Sequence, residues 1–469
     1  VFTSLGILKI ASSLRVNGYA VDLLDLAGIK NYTDVVDDYI SIYRDDPPLT
    51  VGITATTPQL PASTKIAKRI PNSIRTILGG PHVSLLHVAT KGKKGGCERA
   101  KTEINNMLKA FDILVCGDGE RAIHEAMTQN KCIIDADNPK SDLFLTNEDL
   151  DNAPLPARDL VDLDSYHYHI DGARATSLIS QLGCPFKCTF CGGRSAPFLR
   201  RVRSRSTESV IYEIEHIYKI YGYTGFMFYD DELNVSKNLP ELMRELIKLQ
   251  KKLGVEFRLR GFLKAELLTE EQADLMYQAG FRWVLIGFES GDPTILKNIR
   301  KMATMEDNTR ALQIAHKYGL KVKALMSIGH AGESQYTIDN TEEWLLHNEP
   351  DDFDCTIITV YPGTPYFDDA ELIDGHYVYT AENGDRLYQD DVRYMYEADY
   401  YKGIPGSGYK ARVWTDSLSK EQLIIARDNL EEEVRSVLGI PFNPGAPSIL
   451  YEHSMGQLHI PDNILRTSL

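Results

Sequence analysis

The chain has 469 residues, 43% of them hydrophobic and 25% charged; these are proportions of a folded enzyme, and the length is too great for one core, so two or three domains are expected. Its formal charge of −15, from 51 basic and 66 acidic residues, argues against a nucleic-acid backbone as the main partner. No run approaches the roughly 20 apolar residues of a membrane span, and no charged-then-apolar leader opens the chain.

The sequence starts at Val1 rather than Met, so further residues are expected before it. Helical spacing over 5–17 is followed by an apolar, strand-like stretch at 20–24 and a second at 49–55. A helix is expected through 65–69, a strand over 73–78, a strand over 112–116 and a helix over 121–127. Strands alternating with helices predict a doubly wound parallel sheet for residues 1–130, and ligands of such sheets bind at the carboxyl ends of the strands. Those ends carry Thr54-Ala55-Thr56-Thr57-Pro58, Gly79-Gly80-Pro81-His82 and Gly117-Asp118-Gly119-Glu120. The one basic cluster, Lys91, Lys93, Lys94, Arg99 and Lys101, lies among glycines and reads as an exposed loop.

Residues 131–172, with the turn-rich Asn152-Ala153-Pro154-Leu155-Pro156, read as a linker. A second alternating series covers 173–368. Its strands are expected at 177–180, 225–229, 256–260, 283–287, 321–328 and 355–360, with helices at 207–221, 239–253, 270–279, 293–299, 305–318 and 335–347. Six such repeats predict a partial or full (β/α) barrel, with its chemistry at the strand C-termini. Gly280 and Gly319 are expected to stop two of the helices. Residues 369–469 form a mixed region. Tyrosine is dense at Tyr377, Tyr379, Tyr388, Tyr394, Tyr396, Tyr400, Tyr401 and Tyr409, and a helix capped by the segment around Ser419 runs to Leu438. The tyrosines either close the barrel mouth or form a surface layer with wet hydroxyl tips.

Seven cysteines is an odd count, and Cys184, Cys188 and Cys191 fall within eight residues after the first barrel strand. This pattern points to a metal site in a reducing compartment, the cytoplasm, rather than to disulfides. Three thiolates at these spacings can hold a [4Fe–4S] cluster and leave one iron open to an exogenous chelator. A structural zinc would need a fourth ligand, for which His167 and His169 are the candidates.

Cys-x3-Cys-x2-Cys with Phe190 before the last Cys resembles the signature of the radical SAM superfamily, whose members cleave S-adenosylmethionine (SAM). Phe226-Met227-Phe228-Tyr229-Asp230-Asp231-Glu232 resembles the family's second-strand segment, near the SAM amino group, and Gly287-Phe288-Glu289-Ser290-Gly291 its fourth-strand segment, near the ribose. The resemblance extends to Ile328-Gly329-His330-Ala331-Gly332-Glu333-Ser334, where His330-Ala331 replaces the usual apolar-Pro pair, and to Tyr361-Pro362-Gly363-Thr364-Pro365. Carboxylates at the strand tips (Asp230, Asp231, Glu232, Glu289) suit an ammonium and ribose hydroxyls, while Arg260 and Lys323 are cations that could meet the SAM carboxylate.

The first domain resembles the cobalamin-binding domain that precedes the barrel in one subclass. The resemblance implies contacts from Thr54, Thr56, Thr57, Gly79, Gly80, Pro81, His82, Gly117, Asp118, Gly119 and Glu120. His82 is read as a turn residue near the corrin tail, with cobalt ligation as the alternative. The implied activity is methylation of an unactivated carbon of a small molecule, with an external electron donor such as flavodoxin or ferredoxin. Cyclisation, ring contraction or rearrangement on the same cofactors is a second reading, and a non-catalytic iron–sulfur protein a third.

Overall fold

A computed structural model describes residues 3–29, 31–92, 97–130, 132–193, 195–400, 405, 406, 408–441 and 466. Lys93, Lys94 and Tyr401 lie outside them.

The first domain holds α1 (Leu5–Val16), α2 (Tyr32–Ile42), β1 (Thr50–Thr54), α3 (Leu60–Ala67), β2 (Arg75–Gly79), α4 (Pro81–Thr90), α5 (Glu98–Met107), β3 (Ile113–Gly117), α6 (Gly119–Thr128) and β4 (Ile133–Ala136). The strands form a parallel sheet in the order β1-β2-β3-β4. One face buries Ile77, Ile113, Val115 and Ile134 against α6 and α1, and the other buries Leu78, Leu114 and Cys116 against Val83, Leu86 and Ile104 of α4 and α5. Both faces are therefore covered by helices, as parallel strands require.

Two expectations change here. Residues 20–24 are not a strand: among the described residues they pair with no other strand, so the ladder hydrogen bonds that define one are not made. The stretch read as the start of a linker contributes β4, an edge strand whose four residues are too few to show a period.

The chain continues through α7 (Asn147–Asn152), β5 (His169–Ile170), β6 (Ala173–Leu178), β7 (Gln181–Leu182), α8 (Pro197–Arg200), β8 (Arg203–Ser204), α9 (Thr207–Tyr221), β9 (Gly225–Phe228), α10 (Leu239–Leu253), β10 (Arg258–Leu263), α11 (Glu270–Ala279), β11 (Phe281–Glu289), α12 (Pro293–Asn298), α13 (Met305–Lys317), β12 (Lys321–Ile328), α14 (Gln335–Asn348) and β13 (Asp352–Ile357). The sheet order β13-β12-β11-β10-β9-β6-β5 is parallel except for β5, which runs antiparallel to the start of β6. The six parallel strands make the expected partial barrel. Helix α10 shows why its segment folds as it does: Leu239, Leu242, Met243, Leu246 and Leu249 share one buried face, and Gly254 ends the helix at φ 66°. Gly280 and Gly319 adopt the positive φ expected of helix stops.

After α15 (Pro365–Asp368), the tyrosine-rich region forms an antiparallel meander of β14 (Glu371–Ile373), β15 (His376–Thr380), β16 (Arg386–Gln389) and β17 (Val413–Thr415), then α16 (Lys420–Leu438). Ser419 caps α16 by accepting from the Gln422 amide. Among the described residues no helix is long and apolar enough to cross a membrane.

Arg99 departs from the exposed-loop reading. Its guanidinium lies 3.4 Å from the Phe367 ring centroid and 4.0 Å from that of Tyr377. It also donates to Phe367 O and Gln389 Oε1, joining α5 to the C-terminal region.

Candidate active site

The loop carrying Cys184, Cys188 and Cys191 leaves the C-terminal end of β6 and is held from several sides. Gly183 sits at φ 90°, and a Cβ there would lie 2.1 Å from Arg201 O, so only glycine lets the β7–β8 hairpin close. Asp231 accepts from the Gly183 amide at 2.6 Å, Cys184 N donates to Leu199 O at 2.9 Å, and Thr189 N donates to Ile299 O at 2.9 Å. Asp230 accepts from the backbone and hydroxyl of Ser180, tying the tip of β9 to that of β6.

Cys188 is buried, Cys184 half-buried and Cys191 exposed. Burial pushes the Cys184 thiol up to about 12, with Glu232, Asp231 and Cys188 adding to the effect, and raises Cys188 as well. A group that takes thiolates must therefore supply positive charge and displace protons. No set of three His, Cys, Asp or Glu among the described residues is gathered for a single metal ion. His167 and His169 lie at the opposite end of β6, where His169 pairs with Arg174, so the zinc alternative loses its fourth ligand. Three cysteine sulfurs on one braced loop, close enough to raise one another's pKa, fit a larger iron–sulfur group.

Beside Cys188 stands a ring of buried charge. Glu289, at φ 67°, receives Lys301 Nζ on Oε1 at 3.1 Å and Ser327 Oγ on Oε2 at 3.0 Å. Burial alone would raise the Glu289 carboxyl, but Lys301 and Ser327 hold it below its usual value. Burial would likewise lower Lys301, yet Glu289, Cys188 and Glu232 raise it. Lys264, directly after β10, donates to Lys301 O at 3.0 Å, pairs with Glu266 at 2.9 Å and covers the Phe186 ring. Glu232 Oε2 is buried without a hydrogen-bond partner, and burial brings this carboxyl to about 7. Phe190 packs edge-on against His330, with ring centroids 5.1 Å apart.

Three of the residues expected near SAM are engaged elsewhere. Arg260 lies within β10 rather than at its end, and its Nη1 is 3.4 Å from the hydroxyl of Tyr168, which belongs to the β5 end of the barrel. Lys323 is ion-paired inside the barrel with Asp352 at 2.9 Å and Asp354 at 3.1 Å. Met227, Tyr229, Phe262, Leu285 and Leu325 form an apolar cluster in the barrel interior, in which Met227 is level with Arg260, Leu285 is level with Lys323 and Leu325 lies two residues nearer the mouth. Ser290 turns towards α14, 3.2 Å from Thr341 Oγ1, and accepts from the Asp292 amide. The cations at the mouth are Lys264 and Lys301. Lys264 was legible as a strand tip one residue beyond β10, whereas Lys301 sits in a loop after α12, where neither period nor motif marks it.

The first domain docks on the same loop. Leu85 of α4 lies against Gly192 and Gly363, since a Cβ on either would come within 3.4 and 3.1 Å of it. Asp118, expected to touch cobalamin, instead forms a buried ion pair with Arg203 of β8 and accepts from Leu145 N at 3.1 Å. The tip glycines serve internal packing. A Cβ on Gly80 would meet Ala55 O at 2.5 Å, on Gly117 the Ala136 carbonyl carbon at 2.5 Å, and on Gly119 the Ile10 side chain at 2.8 Å. Glu120 turns to α1, where its carbonyl accepts from Ser13. Close backbone packing thus requires glycine at positions 80 and 117.

What fits a cofactor rich in amides is the group around β1 and α4. Thr56 Oγ1 and His82 Nε2 are buried without partners, and Thr57 Oγ1 is 2.9 Å from His82 Nδ1. His82 lies in the first turn of α4 rather than in the turn before it, 5.2 Å from the Tyr394 ring, and burial lowers its pKa to about 3. Tyr394 bridges onward to Val360 O. Tyrosines thus fill the seam between the two domains, although Tyr396 stays exposed.

Residues 178–345 match the family model of the Radical SAM superfamily. The chain carries a radical SAM domain, and fold and site together define a radical SAM enzyme. Among relatives, an uncharacterized methyltransferase of Pyrococcus horikoshii is 28% identical over 376 residues, 77% of this chain and 76% of the relative. The anaerobic magnesium-protoporphyrin IX monomethyl ester cyclase of Rubrivivax gelatinosus is 26% identical over 391 residues, 78% of this chain and 66% of that one. The solved structure of the radical SAM methyltransferase TsrM from Kitasatospora setae, with cobalamin and a [4Fe–4S] cluster bound, superposes with a TM-score of 0.61 at 18% identity. It covers 95% of this chain and 89% of TsrM, a shared fold over both domains. The non-catalytic alternative is thereby set aside.

Proposed function

We propose that the protein is a cobalamin-dependent radical SAM methyltransferase acting on an unactivated carbon of a small molecule in a reducing compartment, the cytoplasm, with electrons from flavodoxin or ferredoxin. When bound, a [4Fe–4S] cluster would supply the electron for reductive cleavage of SAM, and cobalamin would supply the transferable methyl. Cys184, Cys188 and Cys191 hold the cluster. Phe190 wedges the loop, and Asp231 and Asp230 keep it tied to the strand tips. Glu232 receives the SAM ammonium, Lys264 and Lys301 face its carboxylate, and Glu289 accepts from ribose hydroxyls. Thr54, Thr56, Thr57, Gly79, Pro81 and His82 line the cobalamin tail. Leu85 packs on Gly192 and Gly363 where the two domains meet.

One observation carries the reading: the strand tips of two α/β domains converge on a single three-cysteine loop. The methyltransferase relatives support it, and TsrM, solved with tryptophan and a SAM analog, offers a small-molecule precedent. The cyclase relative favours cyclisation as a second outcome. Anaerobic protein given methyl-labelled SAM and a reductant separates the two, since label in the product favours transfer. Cys188→Ala protein is expected to lose most of its iron and all 5′-deoxyadenosine formation. Full iron and undiminished 5′-deoxyadenosine in that variant would overturn the proposal.

A further inference from the structure

A chain of hydrogen bonds runs from Glu289 along the C-terminal ends of β12 and β13. Ser327 Oγ lies 3.0 Å from Glu289 Oε2 and 2.9 Å from His330 Nε2, and His330 Nδ1 lies 3.2 Å from the Tyr366 hydroxyl. Its proton order follows from the acceptor. Glu289 holds its charge against Lys301 and accepts only, so the single hydroxyl proton of Ser327 points to it. Ser327 must then accept from His330, which fixes the Nε2–H tautomer. His330 Nδ1 is left as an acceptor and takes the Tyr366 proton. Every donor in the row aims towards Glu289.

His330 is 0% exposed and Tyr366 is 0% exposed, so neither has water as a substitute partner. Glu289 stands at φ 67°, where a residue with a Cβ is not held by its own backbone preference and depends on its side-chain partners. Tyr366 is anchored in turn. Its carbonyl accepts from Gln389 Nε2 at 2.6 Å, and Gln389 Oε1 accepts from Arg99 of the first domain at 3.1 Å.

We propose that His330, held by Tyr366, is a positioning residue that locks the Ser327 hydroxyl onto Glu289 and so sets the orientation of the carboxylate that receives the SAM ribose. The inference rests on the proposed role of Glu289. Neither His330 nor Tyr366 hydrogen-bonds Glu289 itself; they act through Ser327.

The test is equilibrium binding of SAM to anaerobically reconstituted full-length protein, with iron per chain measured alongside. Wild-type protein comes first: full iron without SAM binding would defeat the proposed function and not this inference alone. Given wild-type binding, His330→Leu keeps the volume but removes both hydrogen bonds, and is expected to weaken SAM binding about tenfold with iron unchanged. His330→Gln places an amide N–H where Nε2–H stood and is expected to restore affinity to within about threefold. Ser327→Ala, a smaller change that serves if His330→Leu does not fold, is expected to match the loss of His330→Leu. Rescue by glutamine should vanish in the Ser327→Ala background, because the two residues act in series. Unchanged affinity in His330→Leu or in Ser327→Ala overturns the proposal. So does iron loss in both His330 variants, which would reduce the ring to a buttress for Phe190.

Discussion

Glu333 shows how burial decides the behaviour of a single group. It is 1% exposed, and burial brings its carboxyl to about 7 although Gly329 N and Thr337 Oγ1 donate to it at 3.0 and 2.6 Å. When protonated it donates to the Thr337 hydroxyl, which is then free to donate to Ser334 O at 2.9 Å. The folded pKa lies above the unfolded value of about 4.3, so between these pH values the native state holds a proton that the unfolded chain has lost. The contribution is complete below about pH 4 and is lost as pH rises through 7, by up to about 1.4 kcal/mol per pH unit. Asp230 and Glu232, also brought to about 7, act with the same sign. The readout is therefore a difference: urea midpoints between pH 5 and 8 should fall less steeply for Glu333→Gln than for wild type. Parallel slopes would exclude the assignment.

At the scale of elements, close packing of short segments matters more than the segments themselves. The β7–β8 hairpin closes over the cysteine loop only because Gly183 has no side chain, whereas Gly222, at φ 71°, has nothing within 4 Å of a built Cβ. Gly222→Ala should therefore cost only about 1 kcal/mol. Gly183→Ala should cost more and also strip iron from the loop, measured as iron per chain after reconstitution; wild-type iron would count against the clamp. The open edge of the barrel is managed in a comparable way. Helix α16 lies along β13, where Glu431 accepts from Cys355 N at 2.5 Å and Arg435 donates to Phe353 O. Side chains thus take the place of the missing neighbour strand.

For the whole molecule the contact that matters is between domains. Asp118 and Arg203 are both nearly inaccessible, and their ion pair joins the tip of β3 to the hairpin over the cysteine loop. Removing one partner leaves the other charged and buried, so Asp118→Ala is expected to lower unfolding stability by about 3–5 kcal/mol. Asp118→Ala with Arg203→Leu should recover much of that loss. A denaturation series in which the single variant loses under about 1 kcal/mol would show that the seam does not depend on the pair.

The sequence by itself determined the order of elements in the barrel, because amphipathic period and glycine stops are local properties. Helices α9, α10 and α11 fall on their expected bounds. It also determined the cysteine loop, since Cys184, Cys188 and Cys191 fall within eight residues and their spacing is a local property. Only the tertiary structure decided which charges face the mouth. Arg260 and Lys323 carry the expected charge on the expected strands, but their depth in the barrel, and the carboxylates bound to Lys323, follow from register between strands distant in sequence. Lys301, Arg203 and His330 gain their roles from partners 12, 85 and 36 positions away. Such partnerships leave no period in the sequence, because they are made by chain closure and not by the neighbours of any one residue.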